Sequence, residues 1–488
     1  MVFIDATVVN VALPALQREL GAGLVDVQWV VESYALFLAA LLLVGGAAGD
    51  RFGRRRVFAV GVALFAAASL WCGLAGTVRT LIAARAVQGI GGALLVPGSL
   101  AIISASFDEH ARGKAIGTWS AATAITMALG PVLGGWLIDH LSWRAAFFIN
   151  LPLAAAVLAL TLLHVPESRN AQAQGPLDWP GALLVTLGLG AVVYALIESS
   201  AKGWANAGIV TALVLGAPAL AAFVVVEMRH PAPMMPLQLF RSSAFTGANL
   251  LTLLLYAALG GSLFFLPLNL IQVHGYSTTA AGAALLPLVV LLASLSRWSG
   301  GLIDRYGANV PLVLGPVLAA CGFALFAVPG VGGSYWVTFF PALVVLGLGM
   351  AITVAPLTTT VMNSVSTSHA GAASGINNAA SRIAGVLAVA VFGVVMVPIF
   401  NHSLHDRLRN LDIAPAVIAA VESQRSKLAA IELPAHIDAR SRAAAERAIG
   451  EAFVTGFRWI MLVSSLLALA GAASAWVLTG RSSAVKRR

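Results

Sequence analysis

Thirteen apolar stretches of about span length recur along this chain, and hardly any charge interrupts them. They fall at about 27–48, 57–76, 80–103, 116–138, 145–163, 181–198, 207–227, 245–272, 280–300, 311–329, 336–361, 376–400 and 454–479. A helix of about 20 residues rises about 30 Å, the thickness of bilayer hydrocarbon. Charged residues make up only 10% of the chain, whereas a water-exposed surface needs about 25%. Backbone polar groups in lipid must be satisfied internally, which leaves helices or closed barrels. The runs do not alternate polar with apolar residues, so they read as helices of an all-α integral membrane protein.

A shorter apolar stretch, 1–16, precedes these runs. It would reach only about 24 Å, so it reads as the outer part of a truncated first span, with the natural start upstream of Met1. It has no basic region or small-residue cleavage site of a leader peptide. With it the expected count is about fourteen spans.

The net charge of +9 does not indicate nucleic acid, because the basic residues sit between apolar runs and not on one face. Arg51, Arg54, Arg55 and Arg56 follow one span, and Arg481, Lys486, Arg487 and Arg488 close the chain. Basic residues collect on the cytoplasmic side of a membrane. The expected topology is therefore multi-pass in a cell (inner) membrane with both termini cytoplasmic. Segment 401–453 then lies outside, and its seven basic and seven acidic residues make it neutral. Its alanine-rich stretches predict partial helix. Trp29, Trp143, Trp179, Trp204, Trp336 and Trp459 fall near run boundaries, where indole rings favour the interface.

Two distant segments match. Gly46–Gly53 reads GAAGDRFG and Gly300–Gly307 reads GGLIDRYG, offset by 254 residues. Each ends a span. Such a repeat implies two related bundles with a substrate site between them. The expected units are 1–165 and 243–480, each a six-helix bundle, with 178–230 as two inserted spans.

Ionisable groups within spans are costly and mark function. Asp5, Glu32, Arg85 and Arg382 qualify. Glu32 and Arg85 lie at similar depth, so a charge pair or a water-bridged pair between them is feasible. A guanidinium does not readily release its proton, so Asp5 or Glu32 would titrate. Arg382 follows Asn377 and Asn378 by about a turn; it could meet an anionic or polar substrate group, and could equally cap helix carbonyls or snorkel toward the cytoplasm. Gly130 and Gly134 share a helix face suited to close approach, and Pro131 can bend that span. Cys72 and Cys321 lie inside apolar runs without metal spacing. His402 and His405 do not make a metal site, and neither a nucleotide loop nor a protease metal motif occurs. No cofactor or enzymatic activity is expected.

These motifs together resemble the fourteen-span drug:proton antiporter family of the major facilitator superfamily. The resembling segments run in order: Asp5 to Pro14, Gly46 to Arg55, Arg85 to Gly91, Gly130 to Gly135, Leu177 to Gly181, and Leu266 through Pro287. Thr126 stands where the antiporter motif has a further glycine, and the second loop copy ends at Ala308-Asn309 without paired basic residues. The resemblance implies a major facilitator fold and proton-coupled export of amphipathic drugs by alternating access, with a proton-coupled uptake symporter on the same fold as the alternative. It implies that Gly46, Asp50, Arg51, Gly53, Arg54 and Arg55, echoed by Asp304 and Arg305, form a conformational latch, and that Gly130, Pro131, Gly134 and Gly135 form a packing hinge. Expected partners are a small substrate, protons and the lipid bilayer, with the chain monomeric.

A cysteine placed at Ser423 should react with a membrane-impermeant reagent added outside the cell. Reaction only from the cytoplasmic side would invert the topology.

Overall fold

The structure is a computed structural model that describes residues 1–106, 109–169, 178–231, 233–365, 370–411, 413–434 and 436–485. It is helical throughout. In chain order the long helices are α1 (Val2–Leu20), α2 (Leu24–Phe52), α3 (Arg54–Leu74), α4 (Val78–Ser106) and α5 (Glu109–His140). There follow α6 (Ala145–His164), α7 (Trp179–Lys202), α8 (Ala207–Arg229), α9 (Ser243–Val273) and α10 (Thr278–Ser296). The last are α11 (Asn309–Phe326), α12 (Phe340–Asn363), α13 (Ala370–Arg409) and α14 (Ala439–Val485). Among the described residues, twelve helices are long and apolar enough to cross a membrane. They are all of these except α1 and α5.

Several boundaries differ from the apolar runs, each for a local reason. α1 continues past residue 16 through Gln17, Arg18 and Glu19, and stops at Gly21, whose φ of 62° only glycine adopts cheaply. Buried Gln17 is satisfied by Gln272 Nε2 at 2.7 Å. α10 bends at Leu285, just before Pro287. α13 and α14 are 40 and 47 residues long, well beyond their apolar cores. Within 401–453 the chain stays helical to Arg409, forms a helix at Pro415–Ser423 and a 3-10 turn at Arg425–Ala430, and enters α14 at Ala439. Trp143 is fully buried and donates to Glu19 at 2.8 Å, so it is a core residue and not an interfacial anchor.

The packing repeats. In the first half α4 lies against α2 and α3, α1 against α5, and α6 against α3. In the second, α12 lies against α10 and α11, α9 against α13, and α14 against α11. The two matching octapeptides occupy equivalent places and end in Gly53 (φ 112°) and Gly307 (φ 74°), so the sequence echo is also a backbone echo. The halves meet along two corresponding seams, α5 with α10 and α2 with α13. The pair α7 and α8 pack together, and α7 rests on both α2 and α13.

Glycine sets how closely the first seam closes. A Cβ on Gly135 would stand 2.5 Å from the Thr278 carbonyl oxygen, and one on Gly282 would stand 2.2 Å from that of Pro131. Backbone cannot yield to such contacts by rotamer change. Gly282→Ala should therefore part the seam and lower thermal stability, by about 1–3 kcal/mol, whereas Gly300→Ala, with open space around it, should be nearly neutral. Equal melting temperatures for these two variants would contradict this account.

Candidate functional site

Asp5 is fully buried in α1, and its partners come from α4 and α6. Arg85 Nη1 makes a short ion pair with Asp5 Oδ2. Gln88, one turn along α4, donates from Nε2 to Asp5 Oδ1 at 2.8 Å and to Ser69 Oγ at 2.8 Å. Asn150 Nδ2 donates to Asp5 Oδ1 at 3.3 Å. Arg85 is 1% exposed, donates from Nε to the Val30 carbonyl at 3.1 Å and from Nη1 to Gln88 Oε1 at 2.6 Å. Its guanidinium lies 4.1 Å from the Tyr34 ring centroid. A charge in a low-dielectric interior is tolerated only when paired and hydrogen-bonded, and this cluster supplies both.

The expected pairing of Glu32 with Arg85 is not formed. Arg85 turns to Asp5, and Glu32 makes no ion pair among the described residues. Glu32 is 1% exposed, with Oε2 buried and without a hydrogen-bond partner. The reason is azimuthal. Similar depth does not fix the direction of a helical side chain, which turns about 100° per residue. Tyr34 faces Arg85, while Glu32 follows Gln28 by one turn, and Gln28 Nε2 donates to the Val389 carbonyl across the α2–α13 seam at 2.8 Å.

Arg382 sits on α13, partly buried, within electrostatic reach of Tyr34, and makes no hydrogen bond or ion pair among the described residues. Asn377 does not accompany it toward the same partner. Its Nδ2 donates to Thr252 Oγ1 at 2.7 Å and Asn249 Oδ1 at 3.2 Å on α9. Asn378 donates to the Ser374 carbonyl at 3.0 Å. Tyr34 thus lies within electrostatic reach of two cationic side chains from opposite halves, and its hydroxyl is buried without a partner among the described residues.

The arginine-rich turn folds onto its own half. Asp50 Oδ1 accepts from Arg54 Nε at 2.9 Å. Glu167 Oε1 accepts the Arg55 backbone N–H at 3.1 Å, and Arg55 Nη1 donates to the Val165 carbonyl at 3.2 Å. A Cβ on Gly53 would meet the Glu167 carboxylate at 2.7 Å, and one on Gly46 would touch Pro97. Arg51 lies over Phe52, and Arg305 lies over Tyr306. The side chain of Asp304 falls outside the described residues. In the glycine motif of α5, Gly130 and Gly134 face Thr7 and Val8 of α1, while Gly135 and the Pro131 carbonyl face the other half.

Sequence reasoning passed over three participants. Gln88 stands one turn from Arg85 within a segment already singled out, so its spacing signalled it. Asn150 carried no such signal. Asp139, at the end of α5, accepts from the Thr278 and Thr279 N–H groups at 3.1 and 2.8 Å, capping α10 across the seam.

Comparison with known proteins places these features. The family described as Major Facilitator Superfamily matches residues 1–389. The chain is 34% identical over 483 residues to the tetracenomycin C resistance and export protein of Streptomyces glaucescens, covering 97% of this chain and 88% of that one. It is 35% identical over 478 residues to the multidrug resistance protein Stp of Mycobacterium tuberculosis, covering 95% and 87%. Among solved structures, an inward-facing bacterial homologue of the human lysosomal transporter Spinster superposes with a TM-score of 0.67 at 19% identity, covering 98% and 93%.

Removing the guanidinium leaves Asp5 as an uncompensated buried charge, so Arg85→Ala should cost about 3–5 kcal/mol. Replacing Gln88 by Leu should cost less, since the ion pair survives. Thermal unfolding in one detergent ranks the two, and the reverse order would refute the assignment.

Proposed function

The chain belongs to the Major Facilitator Superfamily, and on that premise we propose that it exports amphipathic drug molecules by alternating access, driven by protons. The observation that carries this reading is the Asp5 cluster. It places a carboxylate inside the helix bundle with a permanent cation and two neutral amides as its partners. A proton arriving on Asp5 cancels one charge of the pair and leaves Arg85 to find another partner. That is a change in local electrostatics able to bias a two-state protein.

Glu32 is the second proton-carrying candidate, because it lies at the α2–α13 seam without a counter-charge. An ionised carboxylate enclosed there costs several kcal/mol, and parting of the seam to admit water removes that cost. Arg382 and Tyr34, from opposite halves and within electrostatic reach of one another, are candidates for contact with a polar group of the substrate. The names of the relatives, which include resistance and export proteins, favour export over uptake.

Counting α1 and α5 with the twelve apolar helices gives fourteen spans: two six-helix bundles over 1–165 and 243–480, and an inserted pair over 178–230. The turn at Arg51–Arg56 and both termini then face the cytoplasm of the cell (inner) membrane, and 401–453 lies outside. In that topology the α5–α10 contact of Gly135 with Thr278 seals the outer end. The arginine-rich turn, bound to Glu167 of its own half, is the conformational latch, and α5 with its glycines is the hinge. The working unit is a monomer.

Purified protein in proteoliposomes with an imposed pH gradient tests this. Wild type should move a lipophilic substrate against its gradient, and Asp5→Asn should abolish gradient-driven transport while retaining the folded state. Full transport by folded Asp5→Asn would exclude Asp5 as the coupling group.

A further inference from the structure

A cavity of about 440 Å³ opens beside the arginine-rich turn, between α2, α3 and α4. Its lining includes Arg51, Arg56 and Arg169, with Val57, Val60 and Leu94. These residues are sorted by depth. Arg56 lies in the first turn of α3, and Val60 follows it about 6 Å further into the span. On α4, the Ala101 carbonyl accepts from Arg54 Nη1 at 3.4 Å, so Ala101 stands at the level of the arginines and Leu94 about 10 Å deeper. Val60 is 59% exposed on a helix that crosses the membrane, so it faces lipid. The cavity thus has a cationic rim at the ends of the spans and an apolar wall beneath it. Two carboxylates serve the rim. Asp50 binds Arg54 at 2.8 Å, and Glu167 is shared by Arg55 and Arg56 at 4.0 and 3.6 Å. Arg56 still presents 67% of its side chain to the surroundings. Arg169 is exposed and makes no hydrogen bond or ion pair among the described residues.

We propose that this cavity binds one anionic phospholipid, with its phosphate held by Arg56 and Arg169 and its first acyl carbons laid along Val57, Val60 and Leu94. A guanidinium is permanently charged, and its planar fork of donors matches phosphate oxygens. A free phosphate ion would use the rim and leave the apolar wall bare. A zwitterionic lipid would bring a cation of its own to a rim that already holds more arginines than its two carboxylates pair. An anionic head group on an acyl chain satisfies both parts of the lining. The matching turn of the second half keeps the glycine geometry at Gly307 but continues into Ala308-Asn309 without paired basic residues, so the site belongs to the first half. The proposal needs only that the turn lies at the end of membrane spans. It depends neither on the direction of transport nor on which leaflet the turn meets.

Native mass spectrometry of the full-length protein, purified in detergent and titrated with lipid, tests this. Wild type should hold one dioleoylphosphatidylglycerol more tightly than dioleoylphosphatidylcholine. Arg56→Ala and Arg169→Ala should each weaken phosphatidylglycerol binding by about fivefold, the effect of one arginine near an anionic surface, and leave phosphatidylcholine binding unchanged. Both positions are exposed, so neither substitution disturbs the core. Arg169→Lys, which keeps the charge, should recover most of the loss. Arg79→Ala, which removes an exposed arginine at the other end of α4, should change nothing. An excess of glycerol phosphate should fail to displace the lipid, and displacement would mark a site for free phosphate instead. Equal binding of the two lipids by wild type, an equal loss in Arg79→Ala, or undiminished phosphatidylglycerol binding in both rim variants would also overturn the assignment. None of these readouts involves transport, so failure of the export reading would leave the result standing.

Discussion

The burial of one ion pair in a medium that cannot solvate it governs the first half of this protein. Asp5 and Arg85 sit where water is excluded, so each remaining hydrogen-bonding position must be filled by protein. Gln88, Asn150, Ser69 and the Val30 carbonyl fill many of them, and together they tie α1, α2, α3, α4 and α6 around one point. A pair that needs so many helices in register is also a pair whose change of charge is felt by all of them.

Against that polar centre, the seams between the halves are held by shape. Gly135 and Gly282 let two backbones approach to distances that any side chain would forbid, and Asp139 caps the opposing helix beside them. Shape and charge have different reach. Close packing stops within an ångström or two of separation, whereas an enclosed charge acts over several helices.

Much of this was legible in the sequence because depth in a membrane leaves a one-dimensional trace. Apolar runs locate helices, and a charge within a run locates an unusual site, which is how Asp5, Glu32, Arg85 and Arg382 stand out. Partnership is not one-dimensional. Whether Arg85 meets Glu32 or Asp5 depends on the direction in which α2 presents each residue, and hydropathy carries no azimuth. The charged extension of α14 before residue 454 is only half legible for a related reason: alanine-rich composition predicts helix there, but balanced charges leave no apolar run to show that it continues the last span. The backbone match of Gly53 and Gly307 shows the opposite case: a residue whose conformation is peculiar to it transfers geometry directly from sequence.

The length of α13 has a mechanical consequence. Its 40 residues extend about 60 Å, roughly twice the thickness of the hydrocarbon layer. A helix anchored in one half and continuing so far past Pro398 is an amplifier. If the half rocks by about 10° around the middle of the bilayer, the tip near Arg409 travels several ångströms further than any residue at the pivot. The outer ends of α13 and α14, packed together with the segment between them, are therefore the pointer of the instrument, and a small rotation buried among the spans is written largest there.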